Sequence, residues 1–146
     1  MEAFSTAGWE TIAVDRREAG DFPSEVVFRL ADVSEPDSVA ELFAWLRERT
    51  NSLAALVNNA AIQVRKTFVE TTVEEWDASM ASNLRSIFLT AKEAHSLLKA
   101  ARGAIVNISS VHAVATSVDS AAYAASKGGV LGMTRAMALE FASDGV

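Results

Sequence analysis

Tyr123 and Lys127 are the pair in this 146-residue sequence best able to move a proton. Spaced at i and i+4, they share one face of any helix that carries them. A phenol titrates at about 10, so unaided it is a poor acid or base at neutral pH. A nearby ammonium favours the phenolate and brings that titration down. A tyrosine so assisted can give a proton to a carbonyl oxygen or take one from an alcohol. Taken alone, the pair equally describes the rim of an amphipathic helix. Its context argues for chemistry. Ser110 stands just past the apolar run Ala104–Ile108, which reads as a strand. Ligands of open α/β sheets bind beyond the carboxyl ends of strands. A hydroxyl there can hold a substrate oxygen as charge develops on it. Ser109 is expected to point elsewhere, and His112 to line a substrate pocket.

Further polar residues fall at similar places. Asn58-Asn59-Ala60-Ala61 ends another apolar run, where amides can tie loop backbone together or meet a ligand. Asn83 sits among apolar neighbours in a helical pattern, where Asn is mildly disfavoured. It could hold a water by its side chain or its backbone. Asp15 closes the run Thr11–Val14. In a dinucleotide fold an acid at that place accepts from the adenosine ribose hydroxyls and repels a 2′-phosphate. Arg16 follows at once and can attract that phosphate, which keeps NADP open beside NAD. Asp32 follows Val26–Leu30 and can accept from an adenine amino group. Each of these, taken singly, is an ordinary strand end or turn. No glycine-rich loop leads from a strand into a helix. The absence of cysteine, with only two histidines, gives no expectation of a metal site.

The elements that must position these residues are legible in the patterning. Thr11–Val14, Val26–Leu30, Leu53–Val57 and Ala104–Ile108 read as strands. The last two are almost continuously apolar, as in a parallel sheet covered on both faces. Val39, Leu42, Phe43 and Leu46 repeat at helical spacing, with Ser34-x-x-Asp37 as a capping box and Pro36 in the first turn. Thr72-x-x-Glu75 is a second capping box. It opens one long helix, Val73–Arg102, stopped by Gly103. A last helix runs from Ala121 to Ala142 and carries Tyr123 and Lys127. Strands alternating with helices predict an α/β fold with a parallel sheet and helices on both faces. Residues 1–146 are expected to form one domain. The tryptophans Trp9, Trp45 and Trp76 are expected to pack rather than bind.

Composition narrows the partners. The chain is 50% hydrophobic with a net charge of −6, which suits a folded domain and repels phosphate backbones. No nucleic acid is expected. No apolar run approaches the ~20 residues that span a bilayer, and no basic leader precedes an apolar stretch. A cytoplasmic location without a membrane partner is the expectation.

Together these residues resemble the short-chain dehydrogenase/reductase family over nearly the whole chain. Asn83, Ser110, Tyr123 and Lys127 match that family's catalytic tetrad. Asn58-Asn59-Ala60-Ala61 is similar to its Asn-Asn-Ala-Gly motif, with Ala61 in place of Gly. Asp32-Val33 looks like its adenine-contacting pair. The resemblance implies a Rossmann-like, doubly wound parallel sheet, lacking the family's first strand with its glycine-rich turn and the last strands. It implies hydride transfer between a nicotinamide cofactor and an alcohol or ketone, with Tyr123 as acid-base residue. Lys127 would assist Tyr123 and hold the nicotinamide ribose. Ser110 would place the substrate oxygen, and Asn83 would sustain a relay water through Lys127. Asp15, Asp32, Val33, Asn59, Ala60, Tyr123 and Lys127 would contact the cofactor. Ser110, His112 and Tyr123 would contact substrate. Ser110-Val111-His112-Ala113 and Lys127-Gly128-Gly129 look like members acting on sugars or polyols. Helices 73–102 and 121–142 look like the pair through which members form homo-oligomers. An inactive remnant that only associates through those helices is the competing reading. The family's strand order places a strand between Thr11–Val14 and Leu53–Val57, so the first should move over to pair with the second, or else the isolated chain should be molten or oligomeric.

Overall fold

The computed structural model describes residues 2–18 and 22–146. Gly20, in the segment between the first two strands, lies outside them. In chain order the elements are α1 (Glu2–Thr6), β1 (Thr11–Asp15), β2 (Val26–Leu30), α2 (Pro36–Arg47), β3 (Ala55–Asn58), α3 (Val73–Met80), α4 (Ser86–Ala101), β4 (Ala104–Asn107) and α5 (Ala121–Phe141). A π turn, Ala81–Arg85, joins α3 to α4. Single 3-10 turns follow β4 and α5.

All strand pairing is parallel. β1 pairs with β2, with Thr11 opposite Val26, and β3 pairs with β4, with Ala55 opposite Ala104. The two pairs do not join. The expected move of Thr11–Val14 onto Leu53–Val57 therefore does not occur. The hydrogen bonds show which edges stay open. The Asp15 carbonyl accepts from Ala31 N–H, so alternate residues Ile12 and Val14 turn their amides away from β2. The carbonyls of Ala54 and Asn58 accept from Ala104 and Ile108, so Ala55 and Val57 turn away from β4.

One apolar core spans both pairs. Val39, Leu42, Phe43 and Leu46 of α2 meet Ala94, Leu97 and Leu98 of α4, with Ile12 and Val14 of β1, Leu56 of β3 and Ile105 of β4 against them. An ion pair, Arg47 to Glu93 at 2.6 Å, fastens the rim of the α2–α4 contact. Strand alternation then fixes the other face. Val57, Val106 and Ile108 are 44%, 46% and 40% exposed, so no helix covers the reverse of β3–β4 among the described residues. Helices α2, α4 and α5 stack on the Ile105 face, where Asn107 reaches Thr134 of α5.

Local signals held unevenly. Thr72 and Glu75 form the reciprocal capping box. Ser34 does not cap α2: Glu35 takes the cap position without a side-chain bond, and the Ser34 hydroxyl turns back to Asp32 at 2.6 Å. β3 starts two residues later than read, because Leu53 N–H bonds the Leu97 carbonyl of α4 instead of a strand. Gly103 is not the left-handed residue that ends α4. Arg102 takes that conformation at φ 52°, and Gly103 N–H closes the turn on the Leu98 carbonyl. Gly103 is required for space: a Cβ there would sit 2.4 Å from the Leu53 carbonyl oxygen and 2.8 Å from that of Ala54. The tryptophans pack at the periphery. Trp45 lies between the guanidinium groups of Arg29 and Arg49, at 4.5 and 4.7 Å, and Trp9 meets Phe4 edge-on.

Gly103→Ala should therefore force the α4–β4 turn off the β3 backbone. The expected loss is about 1–3 kcal/mol in urea unfolding. An unchanged midpoint would show that the turn yields freely.

Candidate active site

The carboxyl ends of β3 and β4 and the first turns of α5 converge. Ile108 N–H bonds the Asn58 carbonyl, extending the pairing one residue past β4. The chain then leaves the sheet through Ser109 and Ser110. Ser109 Oγ donates to the Lys127 carbonyl at 2.9 Å, which turns it toward α5. Ser110 has extended backbone and caps the 3-10 turn Val111–Ala113, its Oγ accepting from His112 N–H at 3.2 Å. Its own hydroxyl hydrogen has no partner among the described residues.

Lys127 is 2% exposed. Its ammonium donates to the Ile108 carbonyl at 2.7 Å and lies 5.8 Å from the Tyr123 ring centroid. Burial pulls its titration below the usual lysine value, because a charge taken from water is harder to keep. Tyr123 is half-buried, and the His112 ring meets it edge-on at 5.7 Å. His112 Nδ1 lies 3.1 Å from Thr116 Oγ1. Tyr123 thus faces the loop after β4, with Lys127 on one side and His112 on another. No hydrogen bond joins its hydroxyl to Ser110 or Lys127 among the described residues.

Asn83 lies in the π turn and is fully buried. Such turns carry an extra residue and recur at functional sites. Its side chain is fully engaged. Oδ1 accepts from Ile62 N–H at 2.8 Å, and Nδ2 donates to the Ile62 carbonyl and to Ser126 Oγ. It reaches neither Lys127 nor a free space, which leaves only its backbone for a water. The single long helix expected over 73–102 is interrupted here.

A second polar chain runs beneath. Thr90 of α4 donates to Asn58, Asn58 donates to Asn107, and Asn107 donates to Thr134 of α5. Sequence reading singled out none of Thr90, Asn107, Ser126 or Thr134. Threonine or serine inside a helix and asparagine at a strand end were the available signals. Asn59 and Ala60 lie exposed just beyond.

The residues expected to meet an adenosine are in a different condition. Asp32 Oδ1 accepts from both the backbone and the hydroxyl of Ser34, and Arg16 lies 4.0 Å from its other oxygen. The Ser34 hydroxyl bond chiefly holds its carboxyl below the usual range. Its Oδ1 is already occupied by its own turn, and its backbone N–H donates to Ser38 Oγ at 3.0 Å. Val33 packs against the core. Asp15 Oδ1 accepts from Arg17 N–H and lies 3.9 Å from the Arg17 guanidinium, while Oδ2 has no partner among the described residues. Arg16 leans to Asp32 and not to Asp15. No group of metal-binding side chains occurs among the described residues. No helix there is long and apolar enough to cross a membrane.

A family model described as short chain dehydrogenase matches residues 2–146. The chain belongs to that family. It is 36% identical to a D-beta-hydroxybutyrate dehydrogenase of Rhizobium meliloti (strain 1021), over 88% of this chain and 50% of that one. The aldohexose dehydrogenase of Thermoplasma acidophilum superposes with a TM-score of 0.92 at 29% identity, over 98% of this chain and 56% of that one. A 4-hydroxyisoleucine dehydrogenase complexed with NADH superposes at 0.91 and 25% identity, over 99% of this chain and 64% of that one. The fold is thus Rossmann-like. The chain spans about half the length of the curated relatives it matches.

The buried ammonium sets a pH dependence. Lys127 titrates lower when folded than when unfolded, so between those two values the unfolded chain binds more protons. Stability then rises with pH across that window, and the burial cost is fully present below it. In urea melts at stepped pH, wild type should gain on Lys127→Met as pH climbs toward 10.5, the model-peptide value. Parallel curves would mean that Lys127 is not desolvated.

Proposed function

We propose that this chain carries the proton-transfer half of an oxidoreductase site, in which a hydride passes between a nicotinamide cofactor and an alcohol or ketone. One observation carries the reading: a buried ammonium beside the ring of Tyr123, at the carboxyl end of a parallel strand pair, with the Ser110 hydroxyl in the adjoining turn. The fit to a nicotinamide cofactor is to its ribose half, where Lys127 and Tyr123 present polar groups toward one loop. Asp15, whose Oδ2 has no partner among the described residues, suits adenosine ribose hydroxyls at the end of β1. Asp32, Val33, Asn59 and Ala60 are proposed nearby contacts, Asp32 accepting from the adenine amino group through Oδ2, since Ser34 takes Oδ1 and Ser38 and Glu35 take its backbone groups.

When bound, the cofactor supplies or accepts the hydride. The chain's residues do the rest. Tyr123 gives its proton to a carbonyl oxygen, or takes one from an alcohol. Lys127 favours the phenolate by its charge. Ser110 donates to the substrate oxygen with the hydrogen that its turn leaves unused. Asn83 acts through its backbone and by fixing the loop at Ile62. His112, against the Tyr123 ring, forms a wall of the substrate pocket. NAD is the favoured cofactor because Asp15 repels a 2′-phosphate and Arg16 is drawn to Asp32, while the exposed Arg17, 3.9 Å from Asp15, keeps NADP open. Substrates are small alcohols or ketones, of which sugars and polyols are one class.

A second reading has its own support. Val73, Phe88 and Leu139 are 70%, 52% and 82% exposed on α3, α4 and α5. Apolar surface on these helices favours association of copies through them, with or without turnover.

Calorimetry with NADH tests cofactor binding, and turnover of simple secondary alcohols tests chemistry. Tyr123→Phe should cut turnover by about 100-fold or more while weakening NADH binding by no more than about tenfold, the loss of one hydrogen bond. Turnover within about threefold of wild type would remove Tyr123 from the acid-base role. Asp15→Ala should narrow the preference for NAD over NADP. An unchanged ratio would reduce Asp15 to a strand end.

A further inference from the structure

Ser126 precedes Lys127 and is fully buried, as is Asn83. A helical serine often bonds back to its own turn, and Ser126 Oγ does so, donating to the Tyr123 carbonyl at 2.7 Å. That bond spends its only hydrogen. Toward Asn83 Nδ2, at 3.0 Å, Ser126 can therefore only accept. The other bonds of Asn83 agree in direction: Ile62 N–H requires Oδ1, and the Ile62 carbonyl requires Nδ2. The amide cannot flip without breaking both. The result is one directed chain, from Ile62 through Asn83 and Ser126 to the backbone of Tyr123.

We propose that Ser126 is a positioning residue, which locks the loop after β3 to the catalytic helix by holding the Asn83 amide. This rests on the reading of Tyr123 as the acid-base residue. Ser109 and Lys127 already tie α5 to the loop after β4. Ser126 supplies the other restraint, tying α5 to the π turn and, through Asn83, to Ile62. Tyr123 is then set between the two strand ends. Without the Ser126 hydroxyl, one Asn83 N–H is buried without a partner, and the remaining bonds to Ile62 must loosen for it to find another.

The test uses the isolated chain without cofactor. Tyr123 is the single tyrosine, so a ring-labelled tyrosine gives one resonance from the site. Ile62 amide exchange reads the far end of the chain, because that N–H must leave Asn83 to exchange. In Ser126→Ala, Ile62 should exchange at least about tenfold faster than in wild type, with Leu98 in the core unchanged. The Tyr123 ring resonance should move as well. Ser126→Cys keeps the volume with a weak sulfur acceptor, and Ile62 should exchange about threefold faster if the alanine variant fails to fold. Ile62 exchange unchanged in both variants would overturn the proposal. So would equal acceleration at Ile62 and Leu98, which assigns Ser126 to packing alone. Neither probe needs turnover, so failure of this clamp and failure of the hydride-transfer reading are separately visible.

Discussion

A lysine ammonium buried against a backbone carbonyl is the interaction to which the rest of the site answers. Lys127 has no carboxylate partner among the described residues; it is held by the Ile108 carbonyl alone. An ammonium in such a place is costly unless its donors are satisfied and the geometry is fixed. The surroundings fix it. Ile108 is pinned to Asn58 by its own N–H, Ser109 reaches back to the Lys127 carbonyl, and α5 is held by Thr134 below and Ser126 above. The charge is kept where it would be useful, beside the phenol, and not where it would be most stable.

That arrangement also explains a division within the fold. Lys127 is the one charged side chain buried among the described residues, and it lies outside the apolar core between α2, α4 and the strands. The carboxyl ends of β3 and β4 are crossed instead by amides and hydroxyls, Thr90, Asn58, Asn107 and Thr134. Each member of that row bonds the next, so the row fixes the spacing of α4 and α5 across the strand ends. Apolar burial supplies cohesion at one level of the sheet, and directed hydrogen bonds supply position at the other.

Much of this was legible in the residues. The strands and helices follow from apolar runs and periodicity, and Thr72-x-x-Glu75 was a true cap because both partners lie at the start of an exposed helix. Ser34-x-x-Asp37 has a similar spacing and failed, because Asp32 competed for the serine hydroxyl. Spacing alone does not show which way a hydroxyl turns: Ser34 donates to Asp32 instead of accepting from the first turn of α2. The interruption of 73–102 at the π turn left no pattern either, since Trp76, Met80, Leu84, Ile87 and Ala91 keep helical spacing straight through it. Tyr123, Lys127 and Ser110 were singled out by their spacing around a strand-loop-helix unit, each alone being ordinary for its position. Ser126, Thr90 and Thr134 were missed because a small hydroxyl residue in a helix is unremarkable until its tertiary partner is known.

The open edges on either side of the gap between β1 and β3 bear on how these two levels cooperate. Ile12, Val14, Ala55 and Val57 leave ladder groups unpaired by backbone among the described residues, yet Ile12 and Val14 still send their side chains into the core that Leu56 and Ile105 share. The two strand pairs are therefore aligned by helices α2 and α4 rather than by each other. Residues at the end of β1, Asp15 included, depend on the α2–α4 contact for their distance from Tyr123. Residues around β4 depend on the polar row and on Lys127. A perturbation of the apolar core would accordingly displace Asp15 relative to Lys127 while leaving the Tyr123–Lys127–Ser110 grouping intact, because the bonds that hold that grouping do not cross the gap.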